Sequence, residues 1–101
     1  MAVMNVFGFD VLPGKALEFQ DLLGRAVAVA MANGSPPPRI WQVALGGPNT
    51  GTTVVAVEYD DIAAYAAQSE RIAAVEEWTA LLPEFQAVCN VSSSLLNEVT
   101  G

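Results

Sequence analysis

Chemistry in a chain without histidine has to come from carboxylates, thiols, phenols, indoles and amides, and this chain has no histidine. Ser-His-Asp and Cys-His catalysis are thereby removed, as are His-ligated zinc and His-ligated haem. The single thiol, Cys89, lies on an apolar stripe with no charged side chain within several residues. It reads as a buried structural thiol, since reactivity needs an electropositive setting. Asp60-Asp61 reads as the cap and acidic first turn of a helix in preference to a metal site. Glu76-Glu77 reads as a solvated helix start. Gly46-Gly47-Pro48-Asn49-Thr50-Gly51 lacks the lysine and following helix of a phosphate loop, so it reads as a hairpin turn. No metal and no cofactor is expected.

The aromatic side chains are the more informative set. Phe7, Phe9, Trp41, Tyr59, Tyr65, Trp78 and Phe85 form a large share of the bulk available to so small a core. The simplest reading is core and dimer interface. The alternative is a cavity for a flat apolar molecule, with Asn5, Gln42, Tyr59 or Tyr65 as polar contacts. The candidate ligand-binding residues are Asn5, Trp41, Tyr59, Tyr65, Trp78 and Phe85. Asn5 shares a strand side with Phe7 and Phe9, and a buried amide needs partners from backbone, water or ligand. No residue acquires an assignable catalytic role.

The elements that must position these groups follow from periodicity. Residues 3–11 alternate as a strand, with Val3, Asn5, Phe7, Phe9 and Val11 on one side. Residues 15–31 form a helix with Phe19, Leu22, Leu23, Ala26 and Ala30 on one stripe; Asn33-Gly34 stops it. Arg39–Gly46 is a second strand, with Trp41 and Ile40 on opposite sides, joined by the glycine-rich turn to a third at 52–59. That third strand is apolar on both faces: Val54 and Ala56 on one, Val55, Val57 and Tyr59 on the other. The second helical region changes phase. Ile62, Tyr65, Ala66, Ser69, Ile72 and Ala73 make one stripe, and Trp78, Leu81, Leu82, Phe85, Val88 and Cys89 another, nearly opposite it on a straight helix. A break near 74–77 is expected, turning Trp78 inward, with Pro83 ending that piece or opening a further turn. Residues 91–99 are the last strand.

Composition sets the surroundings. The 101 residues form a single domain, with 52% hydrophobic and 15% charged residues against about 25% charged in an average domain. So little charge favours hiding surface in an oligomer. With only enough helix to cover one sheet face, the second face calls for a second copy of the chain. The net charge of −7 and the lack of any Lys/Arg run argue against nucleic acid and anionic membranes. No apolar run approaches the ~18–20 residues of a membrane span. The amino-terminal stretch has no basic region or cleavage site of a secretory signal. A reducing cytoplasmic setting is expected for the lone cysteine.

Leu12-Pro13-Gly14-Lys15 with Glu18-Phe19, Glu58-Tyr59-Asp60-Asp61-Ile62-Ala63-Ala64-Tyr65, and Glu77-Trp78 with Leu81-Leu82 resemble segments of NIPSNAP-like proteins. Those proteins belong to the dimeric α+β barrel superfamily, which also holds antibiotic-biosynthesis-type monooxygenases. The chain departs at Val75-Glu76, where such proteins often show Asp-Pro. The resemblance implies an α+β, ferredoxin-like βαββαβ fold. Its four-stranded antiparallel sheet carries helices on one face, and two sheets pair through their open faces as a dimeric α+β barrel. It also implies a cavity between sheet and helices in the members that are catalytic. The haem-degrading branch is disfavoured without a histidine to hold iron.

Three functions follow. The first is an uncharacterised homodimeric NIPSNAP-like barrel protein that binds a small aromatic or apolar molecule between sheet and helices. The second is a cofactor-independent monooxygenase, with Asn5, Trp41, Tyr59, Tyr65 and Trp78 as hydrogen-bond donors to a substrate anion. The third is a structural or regulatory dimer whose cavity is filled by its own side chains.

Overall fold

A computed structural model describes residues 1–99, apart from the side chain of Asn49. Four strands and three α-helices follow in the order β1 (Val3–Val11), α1 (Ala16–Ala32), β2 (Arg39–Gln42), β3 (Thr53–Tyr59), α2 (Ile62–Ala73), α3 (Glu76–Val88) and β4 (Cys89–Asn97). The strands form one antiparallel sheet in the order β2-β3-β1-β4, the ferredoxin-like arrangement.

Register fixes the two faces. Phe7 pairs with Val55 and Ser93, and Ile40 also pairs with Val55, so these side chains share a side. The helices lie there. Phe9, Val55 and Cys89 from the sheet are buried with Phe19, Leu22 and Ala26 of α1 and Leu81, Phe85 and Val88 of α3. On the opposite, open face Trp41 pairs with Val54, Val54 with Gly8, and Met4 with Glu58 and Leu96.

Each chain reversal has a local cause. Gly14 takes φ +79°, letting Lys15 N–H reach Leu12 O at 3.1 Å before α1 begins. Asp61 caps α2, its carboxylate accepting from Ala64 N–H at 2.8 Å. The helical region breaks at Ala74 and Val75, whose ψ angles are −6° and 115°. The phase change demanded this: a straight helix would have carried Trp78 away from the sheet.

Several boundaries differ from the sequence expectation: α1 runs over Ala16–Ala32 rather than 15–31, and β4 ends at Asn97 rather than at residue 99. Regular pairing in β2 stops at Gln42, although Val43 still exchanges hydrogen bonds with Thr52 O and Gly51 N–H; a short 3-10 turn, Gly47–Asn49, follows. β3 begins at Thr53 rather than at residue 52. β4 begins two residues early, because Cys89 pairs with Val11 immediately off α3. Pro83 neither ends α3 nor starts a new turn; it lies inside the helix. One missing backbone donor is outweighed there by burying Phe85 and Val88 in the following turn.

Candidate functional site

The sheet brings Asn5 and Tyr59 onto the helix-facing side. Asn5 pairs with Val57, which makes Tyr59 its diagonal neighbour across the β1–β3 ladder, roughly 7–8 Å away. Val3 and Val57 are buried on either side of the amide. Asn5 itself is half-buried and makes no side-chain hydrogen bond among the described residues. Tyr65, in the first turns of α2, meets the Tyr59 ring edge-on, with centroids 5.5 Å apart and planes at 80°. Burial pushes the Tyr59 phenol above its ordinary pKa and the neighbouring Tyr65 adds to this, while the nearby Ser35 hydroxyl opposes it.

Trp78 enters from the start of α3. The far end of that helix is tied to β1 by Leu12 N–H donating to Val88 O at 2.9 Å. Ten residues of helix span about 15 Å. At ~3.4 Å per strand residue this sets Trp78 about level with Phe7, next after Asn5 on the same face. Trp78 is partly buried against the core there, as the phase argument required. Asn5, Tyr59 and Tyr65 therefore share the end of the helix layer near the beginning of β1, with Trp78 nearer the strand's middle, against the core.

The other two candidates lie elsewhere. Phe85 is buried in the core among Phe9 and Phe19, at centroid distances of 5.7 and 6.2 Å. It fills space and presents no free face to a ligand. Trp41 is on the open face, 55% exposed, with the Arg39 guanidinium 5.2 Å from its ring. Alternation had separated the two sides of β2 without saying which one the helices cover. Gln42, also considered as a polar contact, is on the helix-facing side but exposed, because β2 projects beyond the helices.

A hollow between sheet and helices was the expectation, yet two of the clearest depressions lie elsewhere. One of about 250 Å³ and one of about 220 Å³ share Met4 and Glu58, and so belong to the open side. The three phenylalanines, with Leu22 and Leu81, occupy the middle of the helix-facing layer.

Sequence reasoning missed a polar clasp beside this site. The side chain of Gln68, the only buried residue of α2, donates through Nε2 to Asn33 O at 3.2 Å. Arg71 Nη1 donates to the same carbonyl at 3.4 Å and to Gln68 Oε1. Asn33 Nδ2 donates back to Val29 O at 2.8 Å, closing the end of α1. Gly34 has φ +93°, and a Cβ there would come within 2.5 Å of Arg71 Nη1. A signal was present: Gln68 stands three residues after Tyr65 and four before Ile72, on the inward stripe.

Cys89 is buried, with its Sγ 3.2 Å from Phe85 O, and burial raises its pKa. Its setting is that of an inert thiol. Among the described residues no cluster of His, Cys, Asp or Glu is placed to hold a metal ion. No helix among them is long and apolar enough to cross a membrane.

No curated protein matches the chain. Solved structures do. An uncharacterised NIPSNAP-like domain protein from Burkholderia xenovorans superposes with a TM-score of 0.76 at 17% identity, over 98% of this chain and 86% of that one. A NIPSNAP family protein from Agrobacterium tumefaciens gives 0.77 at 15%, over 98% and 94%. A cofactor-independent oxygenase from Streptomyces nogalater gives 0.72 at 16%, over 99% and 95%. At such identities these likenesses speak for the fold alone. The NIPSNAP family model matches residues 5–98, from Asn5 through the whole of β4. With nearly the full chain matched and the ferredoxin-like order in place, this protein belongs to the NIPSNAP family.

Proposed function

We propose that this chain works as a homodimer, joined through its open sheet face, and holds a small aromatic or apolar molecule on the helix side of each sheet. The ligand contacts are Asn5, Tyr59, Tyr65 and Trp78; Trp41 belongs to the interface and Phe85 to the core. The observation that carries the binding reading is the half-buried Asn5 amide, without a side-chain partner among the described residues and close to aromatic rings. A flat ligand with one hydroxyl or carbonyl group satisfies that amide and stacks its apolar body on the rings. Dimerisation is supported by Trp41 and Leu96, 55% and 51% exposed on the same open face. They lie on the two edge strands, with Met4, Val6, Val54 and Ala56 between them, and exposed apolar surface of this kind is commonly covered in soluble proteins. The setting we assign is the reducing cytoplasm, where Cys89 stays a thiol.

The test is calorimetric titration of the purified protein with 2-naphthol, a neutral bicyclic phenol. Saturable binding at one molecule per protomer, lost in Asn5→Leu with the fold intact, is the expected result. Heats that never saturate, or binding unchanged in Asn5→Leu, would leave a dimer whose interior is occupied by its own side chains. Oxygen uptake with a hydroquinone is the separate assay for the oxygenase reading, which at present rests on likeness of fold.

A further inference from the structure

The core cluster draws side chains from β1, α1, β3, α3 and β4, and none from α2. Where α1 buries Phe19, Leu22 and Ala26, and α3 buries Leu81, Phe85 and Val88, α2 buries only the amide side chain of Gln68. Of its two isoleucines, Ile62 is 60% exposed and Ile72 is only partly buried. Apart from the Tyr65–Tyr59 ring contact, α2 is joined to the α1 end by polar bonds that converge on one carbonyl, Asn33 O. The segment has a non-helical link at each end. Asp60-Asp61 precedes it, with Asp61 fully extended at φ −160° and ψ 176°, and Ala74-Val75 follows.

We propose that α2 is a hinged lid over the Tyr59 end of the sheet, latched by Gln68 and Arg71 on Asn33 O. The physical contrast is between apolar burial and a polar latch. Opening α1 or α3 would expose a phenylalanine and two or three aliphatic side chains to water, a loss that grows with area. Opening α2 exposes a glutamine, a tyrosine edge and the partly buried Ile72, and water replaces the hydrogen bonds at modest net cost. Swinging about the two links leaves the phenylalanine core intact. This inference rests on the ligand-binding reading above for what the lid admits, though not for its motion. It accounts for why Tyr59 lies beneath α2 while two of the clearest depressions lie on the other face.

Native-state hydrogen exchange on the intact, ligand-free protein tests the motion. Amides of the α2 interior should exchange at least about tenfold faster than those of α1 and α3, through an opening insensitive to low denaturant. Arg71→Ala, on an exposed side chain, should speed α2 exchange further and leave α3 unchanged. Gly34→Ala, which pushes against the Arg71 guanidinium, should do the same. Equal protection of α2 and α3, or α2 exchange that follows global unfolding in both variants, would overturn the lid. The ligand arm is read apart from this. If the lid opens freely yet 2-naphthol never binds, the binding reading fails and the lid stands. If 2-naphthol binds, its association rate should rise in Arg71→Ala.

Discussion

Phe19 on α1 and Phe85 on α3 meet edge-to-face, with centroids 6.2 Å apart and planes at 74°, and both close on Phe9 at 5.3 and 5.7 Å. This triangle joins both long helices to the central strand, so its rings act as one unit. Phe85→Ala should therefore cost ~3–5 kcal/mol, the usual range for a buried aromatic truncated to alanine. Trp78→Ala, at a half-buried position, should cost about half as much. Urea titrations of the two variants provide the comparison. A larger cost for Trp78 would place it in the core and Phe85 outside it.

The open face gives a mass prediction. The native protein should scatter light as about twice the 10.6 kDa chain, and Trp41→Glu should halve that value while leaving the helical signal intact. The glutamate would bring a desolvated carboxylate into the proposed interface between two chains each of net charge −7. A native chain that remains monomeric at micromolar concentration would refute the dimer.

Tyr59 supplies a pH dependence. Its pKa is raised in the folded chain above the ordinary 10.0, chiefly by burial. The unfolded state then gives up its phenolic proton first, and binds fewer protons than the folded state above that pH. Stability should fall as pH rises from the unfolded pKa to the higher folded one, and level off beyond it. Denaturant midpoints measured from pH 8 to 11 should show this slope in the native protein and a shallower one in Tyr59→Phe. Parallel curves for the two proteins would show that the phenol is equally solvated in both states.

The helix cap on α2 provides a local test. Asp61→Ala removes the acceptor for Ala64 N–H, a change worth about 1 kcal/mol at a typical cap. Because α2 contributes nothing to the phenylalanine core, the loss should appear mainly as faster exchange of α2 amides, with little change in the unfolding midpoint. Asp61→Asn should retain most of the protection. A midpoint shift as large as the whole capping energy would mean that α2 unfolds only with the rest.

Cys89 should behave as an inert thiol. Under native conditions a maleimide should label it only as fast as the protein opens, and in denaturant at once. Rapid native labelling would contradict its burial between Phe85 and β1.

Much of this architecture was legible from side-chain period. Alternation in residues 3–11 gave β1 with its boundaries, and the clash between the Tyr65 and Trp78 stripes located the break at Ala74-Val75 to within the predicted span. The limits have physical causes. Alternation separates Trp41 from Ile40 but says nothing about which side meets a helix; that depends on long-range register, here Ile40 opposite Val55 and Val55 opposite Phe7. Pro83 looked like a stop because the cost of a lost donor is local, whereas the burial of Phe85 and Val88 that outweighs it is tertiary. The Gln68 clasp was hidden for a related reason. Its acceptor is a backbone carbonyl 35 residues away, and a carbonyl leaves no trace in composition or spacing.

The run Pro36-Pro37-Pro38 leads directly into β2, the four-residue strand at one margin of the sheet. Three successive residues without a backbone N–H cannot donate to an incoming strand, and β2 itself offers too short a ladder to template one. Growth of the sheet by lateral addition is blocked along that margin. The nine residues of β4 at the opposite margin have no such block, yet a filament needs both margins to be adhesive. The prolines therefore act as a terminator against fibre formation, since a sheet that can add strands along one margin alone cannot propagate.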